Sequence, residues 1–219
     1  MSETIYSIEE IGEKLYSAVV SDVLDHLGYR HQSPHIPFTP FTGSCKMVGR
    51  CKTTLWVDMH HEDPAPYALE LAAVDSCKPG DILIAAASGS ERSGIWGELL
   101  STAARNQGCV GALVWGCVRD IAPMRKMGFP VFATGRSVYD SLNRQRVVDI
   151  DVPVDLAGVT ARSNELIICD EDGVVIVPRE VEDQAIKHAF DKVAAENRTR
   201  EAIKKGMKAT DAYNRYGVL

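Results

Sequence analysis

The segment from Gly97 to Asp120, GELLSTAARNQGCVGALVWGCVRD, constrains the fold more than any other part of the chain. Its first half has the spacing of a short helix closed by Gly108, and its second half is an apolar run typical of a buried strand. Helix and strand alternate in α/β proteins, whose ligands bind at the carboxyl ends of the strands. We therefore expect the start of this helix and the end of this strand to lie side by side.

Patterns along the rest of the chain predict one mixed α/β domain over residues 1–219. The capping box Ser7-Ile8-Glu9-Glu10 predicts a first helix, and a second short helix is expected from Ser21 to Gly28. Strands are predicted over 52–58, 82–87, 112–115, 130–133, 146–154 and 165–177, the last with a turn at 170–173. Further helices are predicted over 65–77, 97–107, 122–127 and 180–205, with a short one in the tail. The expected architecture is an α/β sandwich with helices at both ends of the chain.

Composition and charge argue against several classes of partner. The net charge is −6 and no Lys/Arg run stands out, which is atypical of a nucleic-acid-binding protein. No stretch approaches the ~18 apolar residues that a membrane span needs. The N-terminus, MSETIYSIEEIGEKL, carries acids where a signal peptide carries bases. The six cysteines are scattered without CxxC or zinc spacing, as in reduced proteins. We expect a cytoplasmic protein without nucleic-acid or membrane partners.

If the start of this helix and the end of this strand lie side by side, several reactive groups share one cleft. Glu98 lies in the first helical turn, where the N–H groups of Leu99 and Leu100 have no intrahelical acceptor and the helix dipole attracts anions. Arg119 supplies a planar fork suited to a carboxylate or an enolate oxygen. Asp120 is a hard oxygen ligand suited to Mg²⁺ or Mn²⁺, and Glu98 can bind such an ion directly or through a water. These groups predict a metal-assisted site for a small anionic substrate.

The chemistry that suits this cleft is the formation of an enolate. A divalent metal bound to the carboxylate and keto oxygens of a 2-oxo acid stabilises the negative charge of an enolate. Breaking the C3–C4 bond of a 4-hydroxy-2-oxo acid, or losing the C4 carboxylate of oxaloacetate, yields that same enolate. The pattern therefore predicts a metal-dependent carbon–carbon lyase that needs no lysine Schiff base.

The same groups also have structural interpretations. An acid at a helix N-terminus commonly only compensates the dipole, and an Arg-Asp pair on a turn is commonly a surface ion pair. The loop Ser88–Gly94, SGSERSG, lacks the ending of a phosphate loop, so it is either an ordinary mobile loop or a flap that closes over the site. His60 and His61 are adjacent on a predicted extended segment and point to opposite faces, so we do not expect them to share a metal ion.

Several longer segments of the chain are similar to one known family. They are SDVLDHLG, KPGDILIAAA, GELLSTAA, GCVRDIAPMRKMGFPVFA, DEDGVVIVPRE and IKKGMKATDAYNRYGVL. Through them the chain resembles the RraA-like family, which includes the 4-hydroxy-4-methyl-2-oxoglutarate / 4-carboxy-4-hydroxy-2-oxoadipate aldolases. The most specific element is an acid followed, after 20 intervening residues, by Arg-Asp, and the resemblance covers most of the chain.

This resemblance implies a swivelling β/β/α domain, as in phosphohistidine proteins, and a class II aldolase that also decarboxylates oxaloacetate. By resemblance, Asp120 is the Mg²⁺ or Mn²⁺ ligand, Arg119 contacts substrate and enolate, and the backbone at Gly97, Leu99 and Leu100 binds the pyruvyl carboxylate. The family assembles as trimers or hexamers with sites at subunit interfaces. An acid from the neighbouring subunit assists in some members.

In this chain Glu196 is the candidate for that neighbouring acid. One position departs from the family pattern, because Glu98 stands where the aldolases carry Asp. The extra methylene moves the carboxylate by about 1.5 Å, enough to change water-mediated into direct metal ligation or to narrow the pocket. The family also contains regulators of ribonuclease, so a non-catalytic protein that binds a ribonuclease or helicase complex is the alternative hypothesis. A lyase or hydratase acting on another 2-oxo acid is the third.

Overall fold

The computed structural model describes residues 6–218, and the start of the acidic N-terminal segment (residues 1–5) and Leu219 lie outside them. The strands are β1 (Thr39–Pro40), β2 (Met47–Asp58), β3 (Asp81–Ala86), β4 (Gly94–Trp96), β5 (Gly111–Val118), β6 (Val131–Arg136), β7 (Gln145–Ile150), β8 (Val154–Leu156), β9 (Val159–Ala161), β10 (Leu166–Cys169) and β11 (Val174–Val177). The helices are α1 (Ile8–Lys14), α2 (Ser17–His26), α3 (Ala68–Asp75), α4 (Glu98–Asn106), α5 (Ile121–Met127), α6 (Glu182–Lys204) and α7 (Ala209–Tyr216). Within residues 6–218, every helix is too short or too polar to span a bilayer.

A mixed sheet organises the described chain, in the order β1-β6-β5-β3-β2-β10-β11. The central strands β2, β3, β5 and β6 are parallel, while β1, β10 and β11 extend the sheet with antiparallel pairs. The short strand β4 pairs in parallel with the end of β5, and β7 pairs antiparallel with β2. The carboxyl ends of β3, β5 and β6 therefore share one edge, which is where ligands bind in open α/β sheets.

Buried side chains on the two faces of the central strands form separate cores. In β3, Leu83 and Ala85 pack with residues of α3, α4 and α5 on one face. Ile82 and Ile84 pack on the other face with the small sheet β8–β9. A third core joins α1, α2 and α6 to β10 and β11. The predicted α/β sandwich with helices at both ends of the chain is confirmed.

Several details of the predicted element pattern differ from the structure. The second helix begins at Ser17 rather than Ser21, because the Asp170 carboxylate accepts hydrogen bonds from the Ser17 backbone N–H (2.6 Å) and hydroxyl (2.5 Å). The strand predicted over 146–154 is divided into β7 and β8 by Asp151, whose φ of 59° is left-handed. The three-residue strands β4 and β9 were not predicted.

Candidate active site

The first turn of α4 and the Arg-Asp turn after β5 lie against each other, as the sequence predicts. The N–H of Glu98 lies 3.4 Å from Oδ2 of Asp120. The N–H of Arg119 donates to the carbonyl of Trp96 at 2.9 Å, so the strand before α4 is tied to the turn that carries Asp120. The structure thus brings Gly97, Glu98, Arg119 and Asp120 together at the carboxyl edge of the sheet.

The Asp120 carboxylate is directed at α4 by an unusual backbone conformation. Asp120 has φ 54° and ψ 37°, in the left-handed region that aspartate tolerates better than most residues. It precedes α5, and its carbonyl accepts the N–H of Met124 at 3.1 Å, but its side chain does not cap that helix. The carboxylate faces the start of α4 instead, and the side chain is 44% exposed. Such backbone outliers cluster at functional sites.

Gly97 allows these two elements to approach closely. A Cβ atom at Gly97 would lie 2.6 Å from Oδ2 of Asp120, so the carboxylate would have to move to accommodate a side chain. The backbone that follows carries the N–H groups of Leu99 and Leu100, which belong to the first turn and have no acceptor within the helix. A small anion beside Asp120 can therefore reach these donors without displacing an existing contact.

The acids at this edge offer a limited set of metal ligands. Oε1 of Glu98 accepts a hydrogen bond from the Thr102 hydroxyl at 2.9 Å, which turns its carboxylate toward its own helix. In the part of the chain that the structure describes, no three His, Cys, Asp or Glu side chains cluster as a metal site. Mg²⁺ typically takes one or two carboxylates and keeps its waters, so the exposed Asp120 carboxylate suits such an ion as a single direct protein ligand. Within one chain Glu196 is not part of this group of acids. It lies on α6, where its carboxylate accepts a hydrogen bond from the Tyr16 hydroxyl at 2.6 Å.

Arg119 is held by an acidic residue that the sequence did not reveal. Its Nη2 lies 3.3 Å from Oδ2 of Asp140, and its Nε lies 3.8 Å from Oδ2 of Asp120. Oδ1 of Asp140 accepts the Tyr67 hydroxyl at 3.0 Å and the N–H of Leu142 at 2.9 Å. Burial opposes ionisation of Asp140, but these two hydrogen bonds and the Arg119 charge outweigh it and lower its pKa. Asp140 is thus an ionised anchor for the guanidinium.

Behind this anchor lies a buried carboxyl group, Glu70 of α3. The residue is 8% exposed, and its Oε2 has no hydrogen-bond partner among residues 6–218. Burial, and then the charge of Asp140, raise the pKa of Glu70 to about 7, while Arg119 lowers it. No sequence pattern marked Glu70 or Asp140, because their place beside Arg119 depends on how α3 and the loop after β6 pack.

The loop Ser88–Gly94 is anchored at the same edge of the sheet. The Ser90 hydroxyl donates to Oδ1 of Asp58 at 2.7 Å, and the Ser93 hydroxyl donates to Oε1 of Gln145 at 2.5 Å. His60 and His61 are both exposed, and the His60 ring lies 3.4 Å from the Arg92 guanidinium. The histidines therefore contribute to the loop surface rather than to the cleft around Asp120.

The chain belongs to the RraA-like family, because the model of that family, described as Aldolase/RraA, matches residues 17–176. A curated relative named "Putative 4-hydroxy-4-methyl-2-oxoglutarate aldolase", from Halalkalibacterium halodurans, is 31% identical over 143 residues, which cover 65% of this chain and 68% of the relative. Across three curated relatives, the matched part spans 32% to 68% of the relative's own length.

Two solved structures share the fold over nearly the whole chain. An uncharacterized protein from Pseudomonas syringae pv. tomato superposes with a TM-score of 0.79 at 26% identity, covering 94% of this chain and 95% of that one. Streptomyces coelicolor RraAS2 is described as an unusual member of the RNase ES inhibitor RraA protein family. It superposes with a TM-score of 0.77 at 28% identity, covering 91% of this chain and 99% of that one. Family and fold therefore agree, while the names of the relatives point to two different activities.

Proposed function

We propose that this protein is a divalent-metal-dependent carbon–carbon lyase that releases pyruvate from 4-hydroxy-2-oxo dicarboxylic acids or from oxaloacetate. The observation that carries the proposal is the Asp120 carboxylate, which its left-handed backbone holds 3.4 Å from the first N–H of α4 and beside Arg119. A carboxylate in this position is suited to bind a hard cation, and the neighbouring backbone N–H groups are suited to bind an anion. The aldolase name of the curated relative supports the same chemistry.

Different residues of the cleft bind different groups of the substrate. The N–H groups of Leu99 and Leu100 bind the carboxylate of the 2-oxo acid, and the Arg119 fork binds its keto oxygen or carboxylate. Bound Mg²⁺ or Mn²⁺, held by Asp120 and by Glu98 directly or through a water, would supply the charge that stabilises an enolate. When the C3–C4 bond breaks, its electron pair moves toward the keto oxygen that Arg119 faces. The C4 hydroxyl loses its proton, and C3 gains one to give pyruvate.

We further propose that the protein works as a trimer or hexamer in which a neighbouring subunit covers this site. Large apolar side chains border the cleft and face solvent in the single chain: Leu99 is 78% exposed, Val138 87% and Tyr139 59%. Exposed apolar groups around a polar site commonly mark an interface. In this arrangement the neighbour's α6 supplies Glu196 to the metal or its waters. Light scattering of the purified protein tests the assembly, and Glu196→Gln tests the carboxylate.

The decisive experiment measures pyruvate release, coupled to lactate dehydrogenase, from oxaloacetate and from 4-hydroxy-4-methyl-2-oxoglutarate. We expect turnover with Mg²⁺ or Mn²⁺ that excess EDTA abolishes. Asp120→Ala should abolish it as well, whereas Asp75→Ala, an exposed aspartate at the end of α3, should not change it. Full activity in Asp120→Ala would refute the assignment.

The alternative function is regulation by binding, and the similarity to Streptomyces coelicolor RraAS2 favours it. A protein of this kind would show no pyruvate release with either metal and would bind a purified ribonuclease or helicase complex. A lyase or hydratase for another 2-oxo acid would be inactive on these two substrates but active on a 2-oxo acid that carries a different group at C4. The same assay with a panel of 2-oxo acids separates these hypotheses.

A further inference from the structure

A second arginine faces the cavity that holds Arg119 and Asp120. The cavity has a volume of about 460 Å³, and its lining includes Arg136, Ser137 and Val138. A space of this size lies in the range of small-molecule sites. It is therefore large enough to hold a small diacid with one end at Arg119 and the other end near Arg136.

The backbone that carries Arg136 is fixed by the sheet. Arg136 is the last residue of β6 and pairs in register with Val118, the residue directly before Arg119. The next N–H, that of Ser137, donates to the Val118 carbonyl at 3.1 Å. A Cβ atom at Gly94 would lie 2.5 Å from the Ser137 carbonyl oxygen, so this strand end is also packed closely against β4. The position of Arg136 relative to Arg119 is thus set by main-chain pairing.

The two arginines differ in how their charges are compensated. Arg119 lies between the carboxylates of Asp120 and Asp140, at 3.8 and 3.3 Å. The Arg136 side chain is exposed and has neither a hydrogen-bond nor an ion-pair partner among residues 6–218. In a chain of net charge −6, it is the uncompensated cation of this cavity. A planar guanidinium of this kind matches a carboxylate in two-point hydrogen bonding.

We propose that Arg136 binds the second carboxylate of the substrate and so determines the preference for dicarboxylic over monocarboxylic 2-oxo acids. The proposal rests on the proposed function for the placement of the 2-oxo end, which Arg119 and the first turn of α4 bind. The distal end extends along the cavity wall toward the end of β6. Because the distal carboxylate stays unchanged in the retro-aldol reaction, Arg136 contributes binding and orientation rather than proton transfer.

The test compares two unreactive ligands of equal chain length, 2-oxoglutarate and 2-oxopentanoate, which differ only in the terminal carboxylate. Isothermal titration in the presence of Mg²⁺ should show 2-oxoglutarate binding about 10- to 100-fold more tightly, as expected for one charge-assisted pair. Arg136→Gln should remove this ratio, and Arg136→Lys should restore part of it. Arg119→Gln should weaken both ligands equally, and Arg162→Gln, an exposed arginine of the β9–β10 loop, should change neither.

The outcomes separate this inference from the proposed function. An unchanged ratio in Arg136→Gln, or the absence of any preference in the wild type, would overturn the role of Arg136. A ratio that depends on Arg136 without any pyruvate release would support the ligand class and overturn the lyase. With turnover, Arg136→Gln should lower kcat/KM for 4-hydroxy-2-oxoglutarate by about 10- to 100-fold and leave that for 4-hydroxy-2-oxopentanoate unchanged. Equal losses for both substrates would again overturn the role of Arg136.

Discussion

Replacing Glu70 by Gln tests the electrostatics of the site independently of any reaction. The Glu70 side chain is buried, one of its oxygens has no hydrogen-bond partner in residues 6–218, and its pKa is raised from the ordinary 4.5 to about 7. The folded chain therefore holds the proton of Glu70 more tightly than the unfolded chain does. As a result, wild-type stability falls as the pH rises from about 4.5 to about 7 and levels off above that range.

The size of the effect follows from the pKa. A rise from 4.5 to about 7 corresponds to about 3 kcal/mol of lost stability when the carboxyl is ionised in the folded state. Gln has nearly the same shape but no charge, so Glu70→Gln removes this loss. At pH 5 the wild type has already lost part of this stability. We therefore expect the difference in free energy of unfolding, variant minus wild type, to be about 2 kcal/mol larger at pH 8 than at pH 5.

Urea unfolding followed by circular dichroism measures this difference, at one protein concentration and in EDTA. Glu62→Gln serves as the matched control, since Glu62 is exposed, and we expect its difference from wild type to be the same at both pH values. If Glu70→Gln also differed from wild type by the same amount at pH 5 and pH 8, Glu70 would not be a desolvated carboxyl, and the reasoning would be refuted.

Three further predictions concern the surroundings of the site. Gly97→Ala places a Cβ 2.6 Å from Oδ2 of Asp120, so the carboxylate must move and metal-dependent kcat should fall by about 100-fold in a protein that circular dichroism shows to be folded; wild-type kcat would contradict this. Asp140→Asn weakens a partly exposed ion pair with Arg119, so kcat/KM should fall by about 3- to 10-fold. The free energy of unfolding should also decline less between pH 5 and pH 8 than in wild type, because the negative charge that raises the pKa of Glu70 is gone. Asp170→Ala removes the acceptor for two groups of Ser17, so urea unfolding should show a loss of about 1–3 kcal/mol, while an altered kcat would argue against its purely structural role.

The central sheet was predictable because its strands are buried on both faces. Ile82–Ala87 and Ala112–Trp115 are continuous apolar runs, which is the pattern of parallel strands covered on both sides, and they correspond to β3 and β5. The true start of α2 was not predictable, because its cap, Asp170, is distant in sequence. The three residues of β4 were not predictable either, because a strand of this length has no measurable periodicity.

Some residues of the candidate site could likewise be predicted from the sequence, and others could not. The meeting of Glu98 with Asp120 followed from local rules, since a helix start and the end of the next parallel strand share a sheet edge. Asp140 lies in a loop without a sequence pattern, and Glu70 lies in a predicted helix whose spacing does not single it out. Both come close to Arg119 only through long-range packing. The direction of the Glu98 carboxylate also depends on its hydrogen bond with Thr102, which helical spacing permits but does not require.

The short strand β4 has a consequence for how new specificities could arise on this scaffold. It runs parallel to the last residues of β5, and its Trp96 carbonyl accepts the N–H of Arg119, so the two halves of the cleft follow one pair of strands. Main-chain hydrogen bonds therefore hold the start of α4 beside the turn that carries Asp120. Arg136 belongs to a different wall of the cavity, the end of β6. If the proposed function holds, substitution of Arg136 would change which ligand tail is accepted without altering the strand pair that carries Glu98 and Asp120, so specificity and chemistry would depend on different parts of the chain.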